Sequence, residues 1–215
     1  MIENFDYQIY DLESIKDLEQ LMNLPGLLGL NVTIPYKQQV IEYLDELSPE
    51  AAETGAVNCI RFINGKKTGF NTDVYGFRKT IDLHLKNYHH TALILGDGGA
   101  AKAVQYVFNQ LDIPFKTYSR KGDLKLAELE ASVLTETQII VQCTPVGTFP
   151  HVDACIDFPF EGLTNQHLVI DLIYNPSETK FLNLAAQQGA KTVNGLYMLE
   201  QQAEKAWEIW NFHEI

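Results

Sequence analysis

The sequence predicts an α/β protein with a parallel sheet in its second half, and three observations carry this. Thr91–Leu95 is a continuous apolar run, as expected of a strand covered on both faces. Phe115–Tyr118, Ile139–Gln142 and Leu168–Leu172 read as further strands. Helical segments separate these runs, and strands alternating with helices build βαβ units.

In chain order, Phe5–Leu12 alternates enough to be a strand, and Ser14–Met22 reads as a short polar helix. Leu28–Thr33 is a buried strand. Pro35 suits the first turn of a helix, where its missing N–H costs nothing. A helix from there to about Leu47 places Val40, Ile41, Leu44 and Leu47 on one face. Val57–Ile63 and Lys67–Phe70 flank Asn64-Gly65, a strong hairpin signal. Asp73–Lys86 is a long connecting helix. A glycine turn follows Thr91–Leu95, then a helix through Gln110. After Ala190 the chain enters a last helix with an apolar stripe of Leu196, Leu199, Ala203, Trp207 and Trp210.

The 215 residues are enough for a proper core. A net charge of −12 opposes binding to nucleic-acid phosphates or an anionic membrane surface. An anionic cofactor therefore needs a local cationic pocket. No apolar run approaches a membrane span, and the acidic start MIENFDYQIYDLE lacks the apolar stretch of a secretory signal. The expected location is the cytoplasm. Cys59, Cys143 and Cys155 are odd in number and lack metal-type spacing, which fits free thiols. His89–His90 reads as a solvated turn, and no metal site is expected.

The glycine turn is Gly96-Asp97-Gly98-Gly99-Ala100, between a buried strand and a helix. That is the setting the dinucleotide fingerprint of a Rossmann-like domain requires. Glycines let the backbone approach a pyrophosphate, whose charge the helix N-terminus favours. Asp97 must point away, since a carboxylate would repel that group. NAD sites place an acid about 20 residues further on, to hold the ribose 2′-hydroxyl. Here that stretch is Tyr118-Ser119-Arg120-Lys121, with no acid and two cations that can pair with a 2′-phosphate. This favours NADP; two solvated surface cations are the plainer alternative.

Two further strings, NVTIPYK at Asn31–Lys37 and NTD at Asn71–Asp73, set a lysine and an aspartate beside small polar groups. Lys37 and Asp73 together can move a proton to or from a bound alcohol or ketone. Lys37 is expected in the first turn of its helix, where the dipole favours the neutral amine; Asp73 starts another helix, where the dipole favours the carboxylate. A surface lysine and a capping aspartate are the plainer alternatives. A proton-transfer pair with a dinucleotide loop points to a small-molecule oxidoreductase.

The motifs together resemble the shikimate dehydrogenase family over essentially the whole chain. NVTIPYK, GAVNC at Gly55–Cys59 and FNTDVYGF at Phe70–Phe77 look like its substrate-domain motifs. GDGGAAKAV, YSRK, QCTPVG at Gln142–Gly147, DLIYNP at Asp171–Pro176 and NGLYMLEQQA at Asn194–Ala203 follow in the family's order. The resemblance implies two α/β domains with a substrate cleft between them, the second Rossmann-like. Residues 1–72 plus 195–215 correspond to the substrate-binding domain and 73–194 to the NADP-binding domain. It implies reversible, NADP-dependent reduction of 3-dehydroshikimate to shikimate in aromatic amino-acid biosynthesis, with Lys37 and Asp73 as the catalytic pair. By the same resemblance Asn31, Thr33, Asn58, Tyr174 and Gln202 lie on the substrate side. Gly96, Asp97, Gly98, Gly99, Ala100, Ser119, Arg120, Lys121, Thr144, Leu172 and Gly195 lie on the cofactor side.

The chain opens at what resembles the family's second strand, without the family's first strand, serine-rich loop and helix. From this follows the expectation of weak shikimate binding and lower stability than in a longer form. Three explanations stay open: a shortened chain, a natural short form pairing its first domains in a homodimer, and a form that only binds cofactor. A shikimate/quinate dehydrogenase of broader specificity is the nearer alternative function.

Overall fold

The computed structural model describes residues 5–211. The elements of the first part are α1 (Leu18–Met22), β1 (Gly29–Asn31), β2 (Glu46–Leu47), α2 (Pro49–Thr54), β3 (Cys59–Ile63), β4 (Lys66–Phe70) and α3 (Thr72–His84). Their strands form one mixed sheet in the order β1-β3-β4-β2. The Asn64-Gly65 turn closes the β3–β4 hairpin as expected, with φ of 49° and 78° at its two residues. α2 is a well-signalled helix: Ser48 accepts from the Ala51 N–H, Pro49 begins it and Gly55 ends it in the left-handed region.

The expected buried strand Leu28–Thr33 shortens to Gly29–Asn31 and is partly exposed, and two other expected elements are absent. Phe5–Leu12 forms no strand. Its polar side chains bond each other, Gln8 to Asp6 and Tyr10 to Gln8, and Ile9 is exposed. Ring contacts fasten the segment instead, Phe5 edge-on to Trp207 and Tyr7 against Trp210. The helix from Pro35 to Leu47 is also missing. Residues 34–38 are turn, and only Gln39–Tyr43 makes a short 3₁₀ helix. The chain then leaves helical geometry because β4 captures it: the Asp45 N–H bonds Lys67 O, and β2 joins β4 in parallel. The apolar spacing served a core rather than a helix face, since Val40 is fully buried beside Leu18, Leu21, Ala51, Val57 and Ile60.

The second part holds β5 (Ala92–Leu95), α4 (Gly99–Gln110), β6 (Phe115–Ser119), β7 (Leu124–Lys125), β8 (Ile139–Gln142), β9 (Leu168–Asp171), α5 (Lys180–Gln187), β10 (Lys191–Val193) and α6 (Leu196–Asn211). Its six strands are all parallel, in the order β10-β9-β8-β5-β6-β7. Every residue of β5, β8 and β9 is buried, which explains their unbroken apolar runs. Alternate residues serve opposite faces. Ile94, Val141 and Ile170 pack with Phe77 and Ile81 of α3 and Val104 and Phe108 of α4. Leu93, Ile140 and Val169 pack with Leu134, Phe158 and Phe181 on the other face. The chain lays β6 and β7 on one side of β5, then returns to lay β8 to β10 on the other. The reversal puts a crevice at the carboxyl ends of β5 and β8, the general ligand position in such sheets. Among the described residues no helix is long and apolar enough to cross a membrane.

His89 departs from its expected place in a solvated turn. It is buried, and its Nδ1 accepts from the Lys86 N–H, so the ring closes the loop after α3.

Helix α6 returns against α3, though not along the expected stripe. Leu196, Ala203 and Trp207 are exposed, while Met198 and Ala206 are buried. The face turned to α3 is offset and includes Gln202: a Cβ on Gly76 of α3 would lie 2.5 Å from Met198 O and 3.2 Å from Gln202 Cβ. A polar residue interrupts the buried stripe, so apolar periodicity alone picked the neighbouring face. Trp210 still reaches the first sheet, donating its Nε1–H to Ile60 O at 2.9 Å.

Gly76→Ala is expected to destabilise the protein by about 1–3 kcal/mol, the usual cost of overpacking, because the obstacle is backbone that cannot rotate away. Chemical denaturation of the two proteins measures this directly; equal midpoints would refute the close crossing.

Candidate active site

The site forms where β4 hands over to α3. Asn71 is the extended N-cap, so Thr72 and Asp73 occupy the first helical turn, where the dipole favours a carboxylate. Lys37 Nζ donates to Asp73 Oδ2 at 2.7 Å, with the two side chains only 18% and 10% exposed. The backbone of Lys37 is fixed too, its carbonyl accepting from the Val57 N–H at 2.7 Å. Lys37 lies in a turn and not in a helix, so the dipole argument for its neutral amine does not apply. What acts on its ammonium is the Asp73 carboxylate.

Asn58, buried just before β3, orders the pair. Its Oδ1 accepts from the Thr72 N–H at 2.7 Å, and its Nδ2 reaches Asp73 Oδ1 at 2.9 Å. Both carboxylate oxygens of Asp73 are thereby engaged. Gln202 closes the cluster from α6, its Oε1 accepting from Thr72 Oγ1 at 3.2 Å and from Asn58 Nδ2 at 3.4 Å. Thr72 was missed by the sequence reading, although it stands inside the NTD string. A hydroxyl adjacent to a helix-initiating aspartate was the available signal.

The other expected substrate-side residues stand apart. No hydrogen bond among the described residues joins Asn31, Thr33 or Tyr174 to this cluster. Asn31 Nδ2 donates to Tyr7 OH at 3.0 Å on the outer side of β1. Asn31 and Thr33 line a groove of about 800 Å³ with Tyr7, Leu21, Leu30 and Trp207, and neither Lys37 nor Asp73 belongs to its walls. Tyr174 is about half exposed in the loop after β9.

The cofactor-side residues gather at the crevice. Gly96 has φ +113°, and a Cβ there would lie 3.1 Å from Thr144 Cγ2, so the loops after β5 and β8 meet closely. A Cβ on Gly98 would meet nothing within 4 Å, leaving an open approach to the uncapped N-terminus of α4 that begins at Gly99 and Ala100. A Cβ on Gly99 would lie 3.5 Å from Lys37 Cδ, so this loop passes directly over the catalytic candidate. Asp97 is exposed, turned to solvent as a phosphate site requires. Ser119 is buried, and its Oγ accepts from the Gly122 N–H at 2.7 Å. It shapes the turn on which Arg120 and Lys121 stand exposed. Gly195 donates its N–H to Ile173 O, and Leu172 O is so close that a Cβ on Gly195 would be 2.0 Å away. Glycine-lined space, free helix-terminal N–H groups and two cations fit a dinucleotide bearing a 2′-phosphate.

Burial favours the protonated form of two of the thiols. Burial pushes Cys59 up to about 12, against a weaker opposing hydrogen bond with Trp210, and burial raises Cys143 further.

A parallel sheet with a glycine crevice, beside a lysine–aspartate pair, defines the class as a dinucleotide-dependent oxidoreductase. Comparison with known proteins narrows it. Residues 3–60 match the family model described as the shikimate dehydrogenase substrate binding domain. A shikimate dehydrogenase (NADP(+)) from Desulforamulus reducens is 39% identical over 208 residues, covering 86% of this chain and 72% of that protein. The structure of a shikimate 5-dehydrogenase from Thermus thermophilus, solved with NADP(H) and shikimate, superimposes with a TM-score of 0.81 at 30% identity, covering 94% of this chain and 79% of the other. A quinate dehydrogenase from Corynebacterium glutamicum with NAD gives 0.82 at 28% identity, covering 92% and 77%. The chain belongs to the shikimate dehydrogenase family.

One acid on the cofactor side is fully buried. Burial raises Asp171 from 3.8 to about 6, opposed by hydrogen bonds from Thr179 and the Ile173 N–H. Its folded value lies above its unfolded one, so its favourable contribution is complete below about pH 4 and is lost as pH rises through 6. Across that window the native protein should lose roughly 3 kcal/mol relative to Asp171→Asn. Unfolding both proteins in denaturant at pH 4.5 and pH 7.5 checks this; a pH-independent difference between them would contradict it.

Proposed function

We propose that this chain catalyses the reversible, NADP-dependent reduction of 3-dehydroshikimate to shikimate, a step of aromatic amino-acid biosynthesis. The observation that carries the reading is the 2.7 Å Lys37–Asp73 pair lying directly beneath the glycine loop. NADPH, when bound, supplies the hydride. Gly96, Asp97, Gly98, Gly99, Ala100 and Thr144 would border its pyrophosphate, Ser119, Arg120 and Lys121 its 2′-phosphate side, and Leu172 and Gly195 the far side of the crevice. In the reducing direction Lys37 Nζ gives a proton to the substrate oxygen; in the reverse direction it takes that proton back. Asp73 holds Lys37 in place and accepts from the substrate hydroxyl, and Asn58 keeps Asp73 oriented. Gln202 holds a neighbouring hydroxyl, and the family resemblance gives the remaining hydroxyls and the carboxylate to Asn31, Thr33 and Tyr174, which stand apart from the pair in this structure.

Residues 1–72 with 195–215 form the substrate-binding unit in this reading, and 73–194 the NADP-binding unit. Two features support the division. The family model for substrate binding matches within the first stretch, and the six parallel strands fall between Ala92 and Val193. The likeness to a quinate dehydrogenase with NAD favours testing quinate and NAD beside shikimate and NADP.

Lys37→Ala should lower turnover of shikimate with NADP by about 10²–10⁴-fold, the usual contribution of a general acid–base. NADP binding, measured by calorimetry, should stay nearly unchanged. Full activity in this variant would remove Lys37 from the mechanism. Replacing Arg120 and Lys121 together by alanine should raise KM for NADP at least about tenfold and leave KM for NAD almost unaltered, since only NADP carries the phosphate they pair with. Equal effects on both cofactors would refute that assignment.

A further inference from the structure

The mechanism makes no use of Asp171, yet this carboxylate is wholly buried at the carboxyl end of β9, next to the crevice. Both hydrogen bonds recorded for it go to chain that follows it. Oδ1 accepts from the Ile173 N–H at 3.1 Å, and Oδ2 accepts from Thr179 Oγ1 at 2.6 Å. Thr179 is the N-cap of α5, and its Oγ1 also accepts from the Leu182 N–H at 3.2 Å. One side chain thus staples both ends of the segment Leu172–Thr179.

That segment is connected onward. Ile173 O accepts from the Gly195 N–H at 3.0 Å, immediately before α6. Leu172 O presses on Gly195 too closely for any side chain there. Asn175 O accepts from the Phe149 N–H at 3.1 Å, tying the segment to the loop after β8. Along α6, Gln202 meets Thr72 and Asn58 beside the Lys37–Asp73 pair. A continuous path of hydrogen bonds and one helix therefore runs from Asp171 to the proton-transfer site. Gln142 anchors the neighbouring loop in the same manner at the end of β8. Its Oε1 accepts from the Thr144 N–H, and its Nε2 donates to Val146 O at 3.3 Å.

We infer that Asp171 is a positioning residue for the reaction: through Ile173 and Gly195 it sets where α6 begins, and so holds Gln202 and Tyr174 on the substrate side while fixing Leu172 on the cofactor side. The inference rests on the dehydrogenase reading given above. A buried carboxylate without that task would be a poor choice for a packing position, because its desolvation is costly and is recovered only through the hydrogen bonds it makes.

Steady-state kinetics of the full chain with shikimate and NADP, alongside calorimetric NADP binding, test it. Asp171→Ala should raise KM for both substrates by about tenfold, with a matching loss of NADP affinity. Asp171→Asn keeps an acceptor for the Ile173 N–H, so its KM values should stay within about threefold of the parent. Leu134→Ala is the control: it weakens the same core without touching the staple, and should lower the melting temperature while leaving both KM values unchanged. If Asp171→Ala does not fold, Thr179→Val breaks the same staple at its other end and should raise both KM values by about threefold. Unchanged KM in Asp171→Ala or in Thr179→Val, or equal shifts in Leu134→Ala, would overturn the positioning role alone. An inactive parent chain would overturn the dehydrogenase reading and this inference with it.

Discussion

The crossing of α3 and α6 at Gly76 is the contact on which the remaining geometry depends. α3 begins with Asp73 and continues into Phe77 and Ile81, which sit in the core of the parallel sheet. α6 carries Gln202 to the same place and ends with Trp210 bonded to the first sheet. Only a glycine lets the two backbones approach this closely. A wider crossing would pull Gln202 from Thr72 and loosen the junction between the sheets. The helix pair therefore does two jobs, joining the sheets and aligning the polar cluster.

Within that frame the candidate site is built on a pair of mostly buried charges. Such a pair gains Coulomb energy from its surroundings but loses hydration, and the balance favours it only when the remaining lone pairs are satisfied. Asn58 meets that condition for Asp73, and Thr72 and Gln202 meet it for Asn58. Residues that look like substrate contacts in the sequence thus also serve as the hydrogen-bonding shell that keeps Asp73 in register with Lys37. The cofactor side is organised likewise, with Ser119, Gln142 and Asp171 each spending side-chain groups on the backbone of a following loop.

The parallel sheet was legible because its strands are buried on both faces and its helices carry strong punctuation. α4 spans the stretch expected between the glycine turn and Gln110, and the Asn64-Gly65 hairpin closes as its residue types demand. The first part was harder to read. Phe5–Leu12 has strand-like alternation, but its aromatic rings found partners on α6 in place of a sheet ladder. The apolar residues after Pro35 have helical spacing, but pairing of Asp45 and β2 with β4 took the chain out of the helix. Local pattern lost in both cases to contacts far away in sequence.

By itself the sequence determined the buried strands of the parallel sheet and the glycine loop before α4, and it marked Lys37 and Asp73 as candidates, because residue type and short spacing encode these features directly. Family membership followed from the order of those motifs. Only the tertiary structure decided that Lys37 sits in a turn against Asp73, that Thr72 and Asn58 hold the pair, and that Asn31 faces Tyr7 across the outer edge of β1. It also decided which face of α6 is buried. These outcomes hang on hydrogen bonds between residues up to 150 positions apart, Trp210 to Ile60, and 144 within the cluster, Asn58 to Gln202. Local propensity carries no information about partners at that distance.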